Sequence, residues 1–412
     1  MKRIAIIGAG ISGLATAYFL SRRHHVWLFE RESRLGGHTH TVVVRQVPLD
    51  TGFLVHNDRT YPNLVRLFRE IGIESQASDM CFAVTCRRTG LEYSSRGARG
   101  FFAQKRNLVR ASHLRLLGDI FRFNREAPAV ISRPDAATST LGDFLDSHRF
   151  GEEFRRLYLY PMASAIWSSA LDSINAFPAL TLIRFLDNHG LLAVKGQPKW
   201  RTVVGGSERY IPKLTAGMGG RVVSSADLQG ITRTTSGVTL TFFNRPHMTF
   251  DDVVIATHGD EVLPLLTDAT DRERDVFRAF RTTTNATWLH TDEATLPRRA
   301  RARASWNYLL PEDATRPPTV TYHLNRLQRI SGATEYCVTL NPNGSIDERC
   351  VLQKMVYAHP LYTQDAIRAQ ARWSEVSGVH RTHYAGAYWF YGFHEDGLNS
   401  ALRVAKSLGV EW

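Results

Sequence analysis

Gly8, Gly10 and Gly13 form a G-x-G-x-x-G pattern that follows the apolar run Ile4 to Ile7 and precedes the helical spacing of Leu14, Ala17 and Tyr18. Two histories could produce such a segment. Lys2 and Arg3 ahead of an apolar run suit a secretory leader, whereas the glycines suit a strand, a tight turn and a helix. The continuation HVWLFERE decides between them, because it reads as a second strand ending in Glu30, seventeen residues beyond Gly13. In a dinucleotide site Gly8 permits the turn, Gly10 lets the backbone approach a pyrophosphate, and Gly13 lets helix pack on strand. Ile11 and Ser12 then open a helix whose free N–H groups and positive dipole end face the phosphates. Glu30 accepts hydrogen bonds from the ribose hydroxyls. The expectation is an α/β fold with a Rossmann-type domain.

The 412 residues, 43% hydrophobic and 22% charged, can bury a substantial core and suggest two or three domains. No apolar run approaches the roughly 18 residues that span a bilayer. Cys81, Cys86, Cys337 and Cys350 lack zinc-type spacing and disulfide-framework density, so free thiols and a cytoplasmic location are expected. The net charge of +12 favours anionic partners. No finger, RNP-like strand or basic repeat is present, which argues against nucleic acid.

After Glu30 the chain runs RESRLGGHTHTVVVRQVPLDTGFLVHN, with Gly36 and Gly37 where an NAD enzyme would continue differently. This stretch resembles the glycine-pair motif of the flavin amine oxidase, phytoene desaturase and protoporphyrinogen oxidase superfamily, followed by its D-x-G hairpin at Asp50 and Gly52. The resemblance implies noncovalent FAD, since the closing YWFYGFHEDGL has no cysteine for a flavin thioether. It places Arg31, Gly36, Gly37, His38, Thr39 and Gly52 along the cofactor, with His38 standing where the family usually has arginine. By the same resemblance Leu228 contacts adenine and Ala256 ends an A-T-G strand, in which His258 replaces the glycine. The carboxy-terminal GAYWFYGFHEDGLNSAL supplies Gly386 and Ala387 at a strand end. It also supplies Asp396, Gly397, Leu398 and Ser400 at a helix start directed at the flavin. The implied cofactor domain is discontinuous, 1–60, 204–275 and 376–412. A discontinuous α+β substrate domain of 61–203 and 276–375 completes the chain, the first insertion reading as helical and the second as strand-rich.

GFLVHNDRTYPNLVRLF, WRTVVGGSERYIPKL, YAHPLY and GAYWFYGFHEDGLNSAL together are similar to bacterial FAD-binding proteins associated with cyclopropane fatty acid synthase-like methyltransferases. That resemblance implies desaturation of a methylated or unsaturated acyl chain of a phospholipid, as in furan fatty acid formation, with a lipid methyltransferase as partner. His394 and Glu395 are candidates for proton acceptor or polar positioner, although Glu395 and Asp396 also suit a helix cap. His56 and Tyr61 follow the D-x-G hairpin and are further catalytic candidates. Tyr160 and Trp167 are candidates for the acyl slot, and Tyr357 and His359 for entry from the second insertion. The stretch RGARGFFAQKRNLVRASHLRLLGDIFRFNREA interleaves arginines with phenylalanines and leucines, a composition suited to an anionic membrane surface. Two other readings stay open: a flavin oxidase of a soluble amine, and a redox-neutral flavoprotein that supports a methyltransferase.

Overall fold

The computed structural model describes residues 1–131, 139–167, 174–193, 196–243, 245–313 and 317–412. In Arg3–Ile7 every residue after the first is buried, the pattern of a strand covered on both faces. It is the centre of a five-stranded sheet in the order Val222–Val223, His25–Phe29, Arg3–Ile7, Asp252–Ile255, Thr382–Tyr384, parallel throughout. The helix Ile11–Leu20 is apolar nearly all round because it packs on the sheet side and against the last helix, His394–Ser407, on the other. Leu228–Arg233, Val238–Phe242 and Met248–Phe250 form an antiparallel meander inserted in this unit.

A second, seven-stranded sheet runs Val351–Leu361, Arg281–His290, Cys337–Leu340, Thr319–His323, Trp306–Leu310, Phe82–Cys86, Leu91–Ser94. The first insertion is therefore not only helical. Residues 82–94 form a hairpin turned at Gly90 (φ +65°), and its first strand pairs in parallel with Trp306–Leu310. The alternation in CFAVTC carries the strand period, which the surrounding helical segments mask by eye. The helices Ala111–Val130, Leu141–Ser147 and Ala179–Asn188 pack with this sheet in one apolar core containing Phe123, Phe144 and Phe154. The parallel sheet has its own core, and Trp200 and Phe393 pack against both.

All four cysteines are unpaired. Among the described residues no helix is long and apolar enough to cross a membrane.

A buried ion pair ties the meander to the last strand. Arg233 donates to Asp268 Oδ1 at 2.9 Å and to Glu273 at 2.5 Å, and Tyr384 donates to Glu273 at 2.5 Å. Burial opposes the Glu273 charge, but the bonds from Arg233 and Tyr384 prevail and hold its carboxyl down at about 2. A folded-state value below the unfolded one contributes stability above the unfolded value, near 4.5, which is lost as pH falls from there toward 2. Arg233→Ala strands Glu273 in the core. It should cost about 3–5 kcal/mol, read as a lower thermal midpoint at pH 7 that approaches the wild-type value in acid.

Candidate active site

A single cavity of about 1020 Å³ runs between the parallel sheet and the seven-stranded sheet. One end is the glycine-rich cradle. Gly8 has φ +99°, and a Cβ on Gly13 would lie 1.8 Å from Gly8 O, so only glycine permits this turn and this helix-to-strand approach. A Cβ on Gly10 meets nothing within 4 Å and would point into open space. The helix Ile11–Leu20 has no side-chain cap at its amino end, and Ile11 and Ser12 line the cavity there. Glu30 reaches the same rim, where its Oε2 accepts from Ala9 N–H at 2.7 Å and its Oε1 from Glu32 N–H at 2.9 Å. Arg31 lines the rim too, paired with Glu261 at 3.1 Å.

Beyond the cradle the chain crosses Gly36 and Gly37, whose carbonyl region is clamped by Arg34: its guanidinium donates to Gly37 O at 2.7 Å and Thr39 O at 3.2 Å. Gly36, Gly37, His38, Gly52, Leu228, Ala256, Gly386 and Ala387 all line the cavity. Gly13, Thr39, Asp396, Gly397, Leu398 and Ser400 do not. Gly397 instead allows the last helix to touch the first, since its Cβ would sit 2.6 Å from Ile11 Cγ2. Leu398 is core, and Ser400 Oγ accepts from Gly386 N–H at 2.8 Å. Asp396 accepts from Phe393 N–H at 2.9 Å, and burial pushes its carboxyl up to about 7.

The expected catalytic set divides. Tyr61 and His394 line the cavity, whereas Glu395 and His56 do not. Glu395 turns back to cap the helix Pro62–Glu70, accepting from Asn63 N–H at 3.0 Å and Leu64 N–H at 2.8 Å, so it is not a proton acceptor for the cavity. His56 is buried beside Phe53 and Phe68. His394 stacks on Phe53 with ring centroids 3.7 Å apart, and its Nε2 lies 2.8 Å from Thr39 Oγ1. Burial lowers its pKa to about 3, so the ring is neutral and already engaged. Tyr160 binds Asn175 instead of facing the cavity, where Ala165 and Ile166 of the same helix take its place. The Trp167 side chain lies outside the described residues.

Histidines gather opposite the glycine pair. His38 lies with its ring centroid 5.1 Å from His359 and 5.8 Å from His258, and Tyr357 stands 5.3 Å away. His40 Nδ1 is 2.8 Å from Tyr357 OH, which is 2.6 Å from Thr51 Oγ1. Burial, followed by the neighbouring histidines, drives His38 well below the ordinary imidazole value. The same causes bring His359 down to about 4. A relay fixes the His359 tautomer. Ala286 N–H donates to Asn341 Oδ1 at 3.0 Å, Asn341 Nδ2 to Asn285 Oδ1 at 2.8 Å, and Asn285 Nδ2 to His359 Nδ1 at 2.9 Å. An amide nitrogen only donates, so His359 carries its proton on Nε2. His38 Nε2 is buried with no partner. Among the described residues no group of His, Cys, Asp and Glu side chains is arranged to hold a metal ion.

The other end of the cavity is apolar, lined by Met80, Ile166, Phe185, Leu191, Leu340 and Met355 with Trp306 and Tyr322. These come from distant parts of the chain, and no spacing in the sequence announces them.

Residues 11–342 match the family described as flavin containing amine oxidoreductase. The chain belongs to that family. Over 250 residues it is 29% identical to "Putative flavin-containing monoamine oxidase AofH" of Mycobacterium tuberculosis, the match covering 58% of this chain and 53% of that protein. The chain thus spans about half the length of the curated relatives it matches. Its fold is similar to putrescine oxidase bound to putrescine (TM-score 0.71, 14% identity, 99% of this chain and 98% of the other). It is also similar to cyclohexylamine oxidase from Brevibacterium oxydans (0.71, 15%, 99% of both). A third likeness is to a CLA-producing fatty acid isomerase from P. acnes (0.70, 16%, 98% of both).

The family's cofactor is FAD, and the residues present fit it. Gly10 leaves open the cradle that a pyrophosphate needs, and Glu30 lines the same rim with its carboxylate held by Ala9 N–H. Gly10→Val should therefore fold normally yet purify without yellow flavin. Gly13→Ala, clashing with backbone, should lose stability. Glu30→Ala should weaken FAD about tenfold or more, the loss of ~1.5–3 kcal/mol expected for a charge-assisted bond. Unchanged flavin content in Gly10→Val, by absorbance against protein, would remove the cradle from the site.

Proposed function

We propose that the protein is an FAD-dependent oxidoreductase that desaturates an unsaturated or methylated fatty acyl chain, carried by a phospholipid. The observation that carries this reading is the junction, in one cavity, of the dinucleotide cradle with an arm lined by Met80, Ile166, Phe185, Leu191, Leu340 and Met355. The carboxylates on the cavity, Glu30, Glu32, Asp227, Asp260 and Glu261, belong to the cofactor unit's segments. The apolar arm has none among the described residues, so nothing there pairs with a substrate ammonium.

Bound FAD supplies a two-electron acceptor for hydride from carbon. The chain's own residues do the rest. The arm strips water from an alkyl chain and aligns it, since burying each methylene is worth roughly 0.8 kcal/mol. An allylic C–H is too weakly acidic for a protein base to remove first, so hydride leaves before the proton and the positive charge spreads over the allyl carbons. The proton then goes to a weak base. On this reading His38 is that base, neutral and free at Nε2, while His359 is held as a donor at its own Nε2 by the asparagine relay. The substrate loses two hydrogens, one as hydride and one as proton.

Without oxygen, a phospholipid with a methylated monounsaturated chain should bleach the flavin near about 450 nm, and the recovered lipid should be two hydrogens lighter. Putrescine and cyclohexylamine should leave the colour unchanged. Bleaching by an amine alone supports the amine oxidase reading instead. A shifted double bond with no change in mass points to isomerisation. His38→Ala should lower the bleaching rate per bound flavin by about 10²-fold or more, the usual contribution of a positioned base.

A further inference from the structure

Among the described residues, four of the ten exposed large hydrophobic side chains fall between positions 108 and 121. Val109 is 85% exposed, Leu108 55%, Phe121 53% and Leu114 44%. The helix Ala111–Val130 explains their alignment. His113, Leu116, Phe123, Ala127 and Val130 face the core, whereas Leu114, Arg115, Gly118, Phe121 and Arg125 recur at three- and four-residue steps on the opposite side. Leu108 and Val109 end the short turn just before it. Lys105, Arg106 and Arg115 lie in the same stretch and are exposed; Arg106 donates to Gly90 O at 2.8 Å, and among the described residues none of the three pairs with a carboxylate. Arg122 and Arg125 do, with Asp119 and Glu126. Arg110 leads from the same face into a cavity of about 190 Å³ that it shares with Arg88, Arg156, Glu152 and Glu153, a set with one positive charge in surplus.

We propose that this face is a docking surface for an anionic lipid bilayer, with Leu108, Val109, Leu114 and Phe121 inserted among the acyl chains and Lys105, Arg106 and Arg115 on the headgroups. A solvated helix face needs no phenylalanine, leucine and valine together, and a protein-docking face is depleted of lysine. Exposed apolar side chains interleaved with exposed cations match the composition of interfacial anchors. The fold also gives the face a location relative to the cavity. The helix packs against Ala179–Asn188, whose Phe185 lines the apolar arm. The purpose of docking rests on the acyl-chain reading, since it would bring the arm to a membrane-borne chain. The binding itself does not.

The experiment uses the full, flavin-loaded chain and sediments it with vesicles of phosphatidylcholine alone or mixed with phosphatidylglycerol. The wild type should partition to the mixed vesicles and be released as salt rises, because the Debye length shrinks to about 3 Å near 1 M. The exposed double variant Leu108→Asp/Val109→Asp should lose about tenfold or more in partitioning, and Arg115→Glu should lose less, both at unchanged flavin absorbance and thermal midpoint. Equal sedimentation with both vesicles, or full binding by the double variant, overturns the proposal. So does retention on a nucleic-acid duplex with no vesicle binding at the same salt. Flavin bleaching by a detergent-dispersed acyl lipid separates the two claims: if it is normal in a variant that no longer binds vesicles, docking and chemistry are both supported and distinct. If vesicles bind but no lipid bleaches the flavin, the docking surface stands and the acyl reading fails.

Discussion

The architecture hangs on two glycine contacts too close for any added side chain. The helix Ile11–Leu20 meets the first strand at Gly13, where a Cβ would fall 1.8 Å from Gly8 O, and meets the last helix at Gly397, where one would fall 2.6 Å from Ile11 Cγ2. These approaches pack the first and last helices of the chain directly against one another. The uncapped start of the first helix and His394, at the start of the last, then face one cavity. A side chain at Gly13 collides with backbone and one at Gly397 with the Ile11 and Ser12 side chains, whereas one at Gly10 fills a space the fold leaves open. Cofactor binding and folding are thereby separable at positions three residues apart.

The cradle was legible in the sequence because its requirements are local. Gly8, Gly10 and Glu30 sit at spacings fixed by one turn, one helix and one strand, and resemblance extended the reading to Gly36, Gly37 and the carboxy-terminal segment. The chemistry around it was less legible, because it depends on side-chain direction. Glu395 stands beside His394 in sequence, yet one residue of helix is about 100° of rotation: it faces Asn63 and Leu64 while His394 faces the cavity. His56 follows the D-x-G hairpin, yet it lies beside Phe53, which lines the cavity in its stead. The Asn341–Asn285–His359 relay joins two strands and a loop residue that no local sequence pattern links. The apolar arm likewise assembles Met80, Phe185, Trp306 and Met355 across both insertions.

The histidines show how burial sets chemistry here. His38, His359 and His394 are all held neutral, chiefly by loss of solvent and secondarily by neighbouring histidines: His359 and His258 at His38, His258 at His359, and His56 at His394. Neutral imidazoles can donate or accept without adding charge to an apolar cavity. Where the resembled glycine-pair motif has arginine this chain has His38, which lines the cavity beside Tyr357 and His359.

The central claim is that the apolar arm receives an acyl chain next to the flavin. Titrating the oxidised, FAD-loaded protein with saturated fatty acids of increasing length, which bind without reacting, tests it through the flavin's own absorbance. The account predicts a saturable perturbation of the flavin band whose affinity rises with each added methylene until the arm is filled, with putrescine and cyclohexylamine producing none. A band perturbed by either amine and indifferent to acyl length would contradict it.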